Sequence, residues 1–384
     1  MKRAVCCLLV LVCVLWCGCP LTAAAEDAAV LPDVGGQSAV LIDLASGEVL
    51  FEKEADKRLP IASVTKVMTM LLTMEAIDQG MLNLQDRLTC SAEAASYGGS
   101  QIWLETGEQM TVDDLLKAVA VVSANDACAV LAEAQAGSVG AFVARMNARA
   151  AELGMQNTNF LDCCGLNDEA YSSARDVAIM SRELMKHERV VEYTTIWMDT
   201  LRGGESELTN TNKLIRYYDG ATGLKTGTTS TAGHCLSATA ERGGLGLCAV
   251  ILGCETTDER FGGARKMLDW GFANFTRYTP KIEEIVLTKV PVLHGVQADV
   301  MPIADVGTAL LLRRGEEGQI RTEVTLANDV EAPVFKGQVI GTVTLKRGED
   351  VLASYAIRAT DEVKRLGFWQ AVGWLWREMA GLDS

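Results

Sequence analysis

The 384-residue chain is short of basic residues, histidine and proline, and each shortage excludes something. Its 35 Lys+Arg stand against 50 Asp+Glu, for a formal net charge of −15. That balance argues against a nucleic-acid binder, because affinity for phosphate comes mainly from clustered Lys and Arg. There are three histidines, His187, His234 and His294, and none accompanies a Gly-x-Ser-x-Gly elbow, which argues against a Ser-His-Asp hydrolase. No Cys-x-x-Cys spacing marks a zinc site. Long apolar runs are missing beyond the first 25 residues, so an integral membrane protein is excluded as well. With 49% apolar residues and seven prolines the chain is globular and too apolar to be disordered, and its length suits two to three domains.

The one apolar run, residues 4–19, follows Met1-Lys2-Arg3 and precedes Leu21, Thr22 and Ala23-Ala24-Ala25. A basic start, an apolar middle and a small-residue end describe a secretory signal peptide cleaved after Ala25. The run is also short of the roughly 20 residues a membrane-spanning helix needs. Trp16, Cys17 and Gly18 disfavour a lipoprotein site at Cys19. Cleavage removes two basic residues and no acidic one, so the charge of −15 becomes −17. Five cysteines leave with the leader; Cys90, Cys128, Cys163, Cys164, Cys235, Cys248 and Cys254 remain. An odd number cannot all pair within one chain, and their apolar neighbours point to buried small hydrophobes.

Alternation at 38–44 and 48–52, around Ala45-Ser46-Gly47, reads as a hairpin. After Pro60, residues 63–79 read as a helix stopped by Gly80. It is apolar on nearly every face (Val64, Val67, Met68, Leu71, Leu72, Met74, Ile77), the mark of a helix buried inside a large domain. Thr111 with Asp114 opens another helix, and more are expected at 126–135, 139–153 and 173–187. The period then changes to strands at 223–229, 232–241 and 245–254, before a last helix at 258–275. Strands at both ends of a helical middle predict an α+β fold, an antiparallel sheet with helices packed on it. Beyond Pro280, short alternating runs predict a small all-β, sandwich-like module. The chain therefore divides into a leader (1–25), a main domain (26–278), a β module (279–360) and a tail (361–384). Three of the seven tryptophans, Trp369, Trp374 and Trp376, lie in that tail. Leu366, Trp369, Val372, Trp376 and Met379 recur at helical spacing beside Lys364, Arg365, Gln370 and Arg377, as in an amphipathic helix lying in a membrane interface. Docking on the β module is the alternative.

Three motifs carry the chemistry. Ser63-x-x-Lys66 opens the buried helix, and this spacing puts a hydroxyl and an amine on one face, within reach of proton transfer. The helix N-terminus adds N–H groups suited to a developing oxyanion. Ser123 and Asn125 fall at a break between two helices, and Lys225-Thr226-Gly227 lies on an otherwise apolar strand ahead of Thr228. Polar residues interrupting apolar segments cost stability, which points to a site.

In these motifs and their order the chain resembles the penicillin-recognising acyl-serine enzymes, which share S-x-x-K, S-x-N and K-T-G. Within them it is similar to the low-molecular-mass penicillin-binding proteins that are D-alanyl-D-alanine carboxypeptidases. The resemblance runs through 60–69, 123–132, 142–155, 171–176 and 223–236. It departs at Asp162-Cys163-Cys164-Gly165-Leu166, where the family reads Asn-Pro-x-Gly-Leu. The resemblance implies a β-lactamase/transpeptidase-like domain and an enzyme removing the terminal D-alanine of peptidoglycan pentapeptide stems, with β-lactams as covalent inhibitors. Ser63 would be the nucleophile, Lys66 the base, and Ser123 a proton relay to the leaving group. Lys66 and Asn125 would hold the hydrogen-bond network. Lys225, Thr226, Gly227 and Thr228 would bind substrate, the lysine and Thr226 on its carboxylate, with the Ser63 and Thr228 amides as oxyanion hole. No metal or organic cofactor is implied. The location implied is the outer face of the cytoplasmic membrane, held by 361–384. A class A β-lactamase would need a deacylating Glu-x-x-Leu-Asn element, and none lies between Asn125 and Lys225. A transpeptidase shares the fold but usually has a longer chain. A non-catalytic wall-binding or β-lactam-sensing protein sits poorly with intact Ser63, Lys66 and Lys225.

Overall fold

A computed structural model describes residues 32–280, 287–307 and 309–379; the expected leader lies outside the described residues. At its centre stands a five-stranded antiparallel sheet in the order Val49–Lys53, Ser38–Asp43, Leu245–Cys254, Gly233–Arg242, Ala221–Thr229. The N-terminal hairpin is thus completed by strands some two hundred residues downstream. Side-chain alternation gives the sheet two apolar faces. Val40, Ile42, Cys248, Val250 and Leu252 enter one core, while Ala39, Leu41, Leu247, Ala249 and Ile251 enter another.

Each face needs a cover. The helix Thr257–Asn274 closes the second with Phe261, Ala264, Met267, Leu268 and Phe272. The first is covered by a helical cluster built around Lys66–Asp78, ten of whose thirteen residues are buried. Val112–Val121, Asn125–Ala136, Val139–Glu152 and Ala174–Met185 surround that helix. Thr111, Ser138, Ser173 and Thr256 cap four of the helices, each hydroxyl accepting the N–H three residues on. Two hairpins were not anticipated, Arg87–Thr89 with Gln109–Thr111 and Met198–Leu201 with Ser206–Thr209. Strands of three and four residues are too short to display a period.

The β-rich C-terminal module contains a four-stranded sheet in the order Pro302–Ala304, Asp350–Ala359, Val339–Arg347, Ile320–Leu326. Val290, Val292, Val300, Val334, Ile340, Val343 and Ile357 form its core. The strand Phe275–Tyr278 leaves the last helix of the main domain and pairs with Leu310–Arg313. Arg277 there reaches the buried Asp43 carboxylate, both oxygens at 3.1 Å, and donates to the Ala309 carbonyl at 2.9 Å. In the tail, the helix Phe368–Met379 leaves Phe368, Trp369, Trp376 and Met379 exposed.

Candidate active site

The nucleophile candidate stands in a single 3-10 turn, Ala62–Thr65, that feeds the buried helix, and Lys66 is that helix's first residue. In a 3-10 turn, side chains three apart eclipse one another. Lys66 Nζ accordingly donates to Ser63 Oγ at 2.8 Å, and to the Cys164 carbonyl at 2.7 Å. The lysine has no solvent exposure.

The Ala221–Thr229 strand comes in against this turn. A Cβ on Gly227 would stand 2.7 Å from the Ile61 carbonyl oxygen and 3.0 Å from the Ser63 nitrogen, so only glycine permits the approach. Lys225 is fully buried and donates to the Thr226 carbonyl at 2.9 Å. Burial, with the positive charge of Lys66 second and that of Arg260 adding, holds its amine well below the ordinary lysine pKa. Thr226 Oγ1 donates to Thr211 Oγ1 at 2.7 Å, and Thr228 Oγ1 to the Gly227 carbonyl at 2.8 Å.

Ser123 occupies the break between Val112–Val121 and Asn125–Ala136 with a left-handed φ of 65°. Its Oγ and Asn125 Oδ1 are both buried and have no hydrogen-bond partner among the described residues. Strained backbone and orphaned buried polar atoms cost stability, and both cluster where a ligand supplies the missing bonds. Asn125 Nδ2 donates to the Gly98 carbonyl and its N–H to the Ser100 carbonyl, each at 2.7 Å. The buried Asp126 carboxylate accepts from Ile102 and Leu104 N–H at 3.1 and 3.0 Å, so the 98–104 loop is pinned beside the motif.

Lys66 and Asn125 each hydrogen-bond, to separate partners. The Lys66 amine bonds to Ser63 and a backbone carbonyl, while the Asn125 amide turns to Gly98. The carbonyl belongs to Cys164, at the place where the chain departs from Asn-Pro-x-Gly-Leu. A backbone acceptor 98 residues away leaves no mark in residue type. Arg260 was missed too. It lies buried on the Thr257–Asn274 helix and donates from Nη1 to the Gly227 carbonyl (3.1 Å), Thr228 Oγ1 (3.2 Å) and the Cys235 carbonyl (3.3 Å). Its Nε has no partner among the described residues, and burial lowers its pKa. An arginine within a helix's buried face was the available signal. His234 pairs in register with Thr228, its Nδ1 3.3 Å from Thr228 Oγ1.

The seven described cysteines are all buried and unpaired. Burial raises Cys128, Cys235, Cys248 and Cys254, the last two to about 12, which keeps these thiols protonated and inert. Among the described residues no group of three His, Cys, Asp or Glu side chains is arranged to hold a metal ion. What converges is a serine hydroxyl against an amine, two orphaned polar groups, and three basic side chains set in an acidic chain. That arrangement suits acyl transfer from an anionic ligand.

Comparison with known proteins agrees. Residues 23–256 match the family model of D-alanyl-D-alanine carboxypeptidases, and 277–365 match that of the penicillin-binding protein 5 C-terminal domain. The D-alanyl-D-alanine carboxypeptidase DacF of Bacillus subtilis is 41% identical over 337 residues, covering 86% of this chain and 87% of that one. DacC of Escherichia coli, of the same description, is 33% identical, covering 92% and 90%. The crystal structure of penicillin-binding protein 5 from Haemophilus influenzae superposes with a TM-score of 0.72 at 31% identity, over 87% of this chain and 99% of that one. Penicillin-binding protein D2 of Listeria monocytogenes, in its ampicillin-bound form, matches 63% of this chain and all of its own, with a TM-score of 0.58 at 33% identity. With both modules matched, the chain belongs to the D-alanyl-D-alanine carboxypeptidase family of low-molecular-mass penicillin-binding proteins.

Proposed function

We propose that the protein is a serine-type D-Ala-D-Ala carboxypeptidase acting on peptidoglycan pentapeptide stems through a Ser63 acyl-enzyme. The 2.8 Å bond from Lys66 Nζ to Ser63 Oγ carries the reading. Lys66 takes the Ser63 proton as Oγ attacks the carbonyl of the penultimate D-alanine. The oxyanion forms against the N–H groups of Ser63 and Thr228. Ser123, whose hydroxyl has no hydrogen-bond partner among the described residues, relays the proton from the Lys66 ammonium to the departing D-alanine nitrogen. The substrate carboxylate is held by Arg260 and Thr228 Oγ1, which stand 3.2 Å apart, with Lys225 on the same strand as Thr228. Water then attacks the acyl-enzyme and releases the shortened stem. A β-lactam presents the same carboxylate and carbonyl and acylates Ser63.

D-Alanine release from a pentapeptide, compared with Ser63→Ala, tests this. The wild type releases D-alanine and takes a covalent fluorescent penicillin label; Ser63→Ala does neither. A label that survives Ser63→Ala overturns the reading.

The location belongs to the same proposal: export through the 1–25 leader and peripheral attachment by 361–384. Trp369 and Trp376 in that tail are 81% and 74% exposed, and exposed aromatics on such a helix support insertion at a membrane interface. Among the described residues no single helix is long and apolar enough to cross a membrane.

A further inference from the structure

The Lys66 amine is useful only where it is held. One of its bonds goes to the nucleophile, and the other, to the Cys164 carbonyl, sets its direction and accepts from the ammonium once the proton has moved. What holds that carbonyl is therefore part of the chemistry. Residues 162–167 belong to neither helix nor strand and contain no proline to stiffen them. Cys163 and Cys164 are free thiols, so no crosslink fixes them either.

The Asp162 side chain does the fixing. Its Oδ1 accepts from the Cys164 N–H at 2.7 Å and from the Gly165 N–H, and its Oδ2 accepts from the Asn167 N–H at 2.6 Å. On the opposite side Thr69, three residues after Lys66 on the same helix, donates to the Cys163 carbonyl at 2.5 Å. Gly165, with φ of 82°, closes the clamp: a Cβ there would stand 1.9 Å from the Ala62 carbonyl oxygen, beside the nucleophile. Two successive carbonyls, 163 and 164, are thus presented to Thr69 and Lys66, one helical turn apart.

We propose that Asp162 is a positioning residue for the general base. By collecting three backbone N–H groups it holds the Cys164 carbonyl on Lys66, supplying by hydrogen bonding the rigidity that a proline supplies in the Asn-Pro-x-Gly-Leu pattern. The proposal rests on the acyl-serine reading above. If the wild type takes no penicillin label, that reading fails; the contrast among variants decides this one.

The test measures fluorescent-penicillin acylation, kcat and KM for D-alanine release, and Tm in the full chain. Displacing a catalytic group by about an ångström costs roughly a hundredfold in rate. Asp162→Ala is expected to lower acylation and kcat by roughly tenfold to a hundredfold, with KM little changed. Asp162→Asn keeps a carbonyl oxygen for the Cys164 and Gly165 N–H groups and is expected to stay within about threefold of wild type. Asp86→Ala is the control for simple loss of a turn: Asp86 Oδ2 accepts the Asn83 N–H at 2.8 Å in an exposed loop, and its loss should lower Tm without touching acylation. Should Asp162→Ala not fold, Asp162→Ser replaces it, its short hydroxyl reaching one N–H at most, with acylation expected well below that of Asp162→Asn. Wild-type acylation in the Ala or Ser variant, a loss confined to KM, or an Asn variant as impaired as the Ala variant would each overturn the proposal.

Discussion

Lys225 is a buried amine whose charge the fold resists, and the resistance has a sign. Its folded pKa lies below the ordinary 10.5, so the unfolded chain binds a proton more readily than the native one. The resulting destabilisation is fully present below the folded pKa and fades as pH rises from that value toward 10.5. Lys225→Met is therefore expected to be more stable than wild type near pH 7, with the difference narrowing in alkali. The same variant should lose roughly a hundredfold or more in acylation, the cost of removing one preorganised hydrogen-bond donor from an acyl-transfer site. Urea midpoints at several pH values, beside penicillin labelling, check both halves. A variant less stable at pH 7 would show that the lysine is a structural cation.

At the scale of elements, the site is a seam. The Ser63 turn opens one helix, Ser123 lies between two others, and the Ala221–Thr229 strand packs against the turn. Gly227 sets how closely strand and turn meet. Gly227→Ala inserts a methyl group 2.7 Å from the Ile61 carbonyl oxygen, and overpacking of this kind costs about 1–3 kcal/mol. The larger expected effect is on rate, because the displaced strand carries the Thr228 amide away from Ser63. Acylation should fall more than tenfold while the protein still folds, measured as penicillin labelling against circular dichroism. This contact explains the glycine of Lys-Thr-Gly physically: the motif marks an element that touches another element's backbone.

For the whole molecule, the joint between modules runs through Arg277. It neutralises Asp43, a carboxylate with no exposure, and bridges onward to Ala309. Among the described residues, Arg277→Ala leaves that charge with only the Ser46 N–H and hydroxyl, at 2.7 and 2.6 Å. Orphaning a buried partner typically costs about 3–5 kcal/mol, so a loss near 3 is expected in urea unfolding, with acylation per folded molecule unchanged. The tail belongs to the same scale. Deleting 361–384 should move the protein from the membrane pellet to the soluble fraction without altering D-alanine release; continued pelleting would remove the anchor.

The amino-acid sequence by itself determined the periodicities that make the helices and long strands, the caps at Thr111 and Gly80, the three-motif order and the tryptophan-rich tail. These are local or spacing properties, readable because a side chain's face follows from its position along the chain. It also named Ser63, Lys66, Ser123 and Lys225, since polar groups in apolar segments stand out. Only the tertiary structure decided what those residues touch. The Cys164 carbonyl on Lys66, the Asp162 clamp and the Arg260 guanidinium beside Thr228 join segments 32 to 98 residues apart, or use backbone atoms that every residue carries. A sequence reports which groups are present; packing assigns each buried donor its acceptor, and in this cleft that assignment sets the geometry of the base.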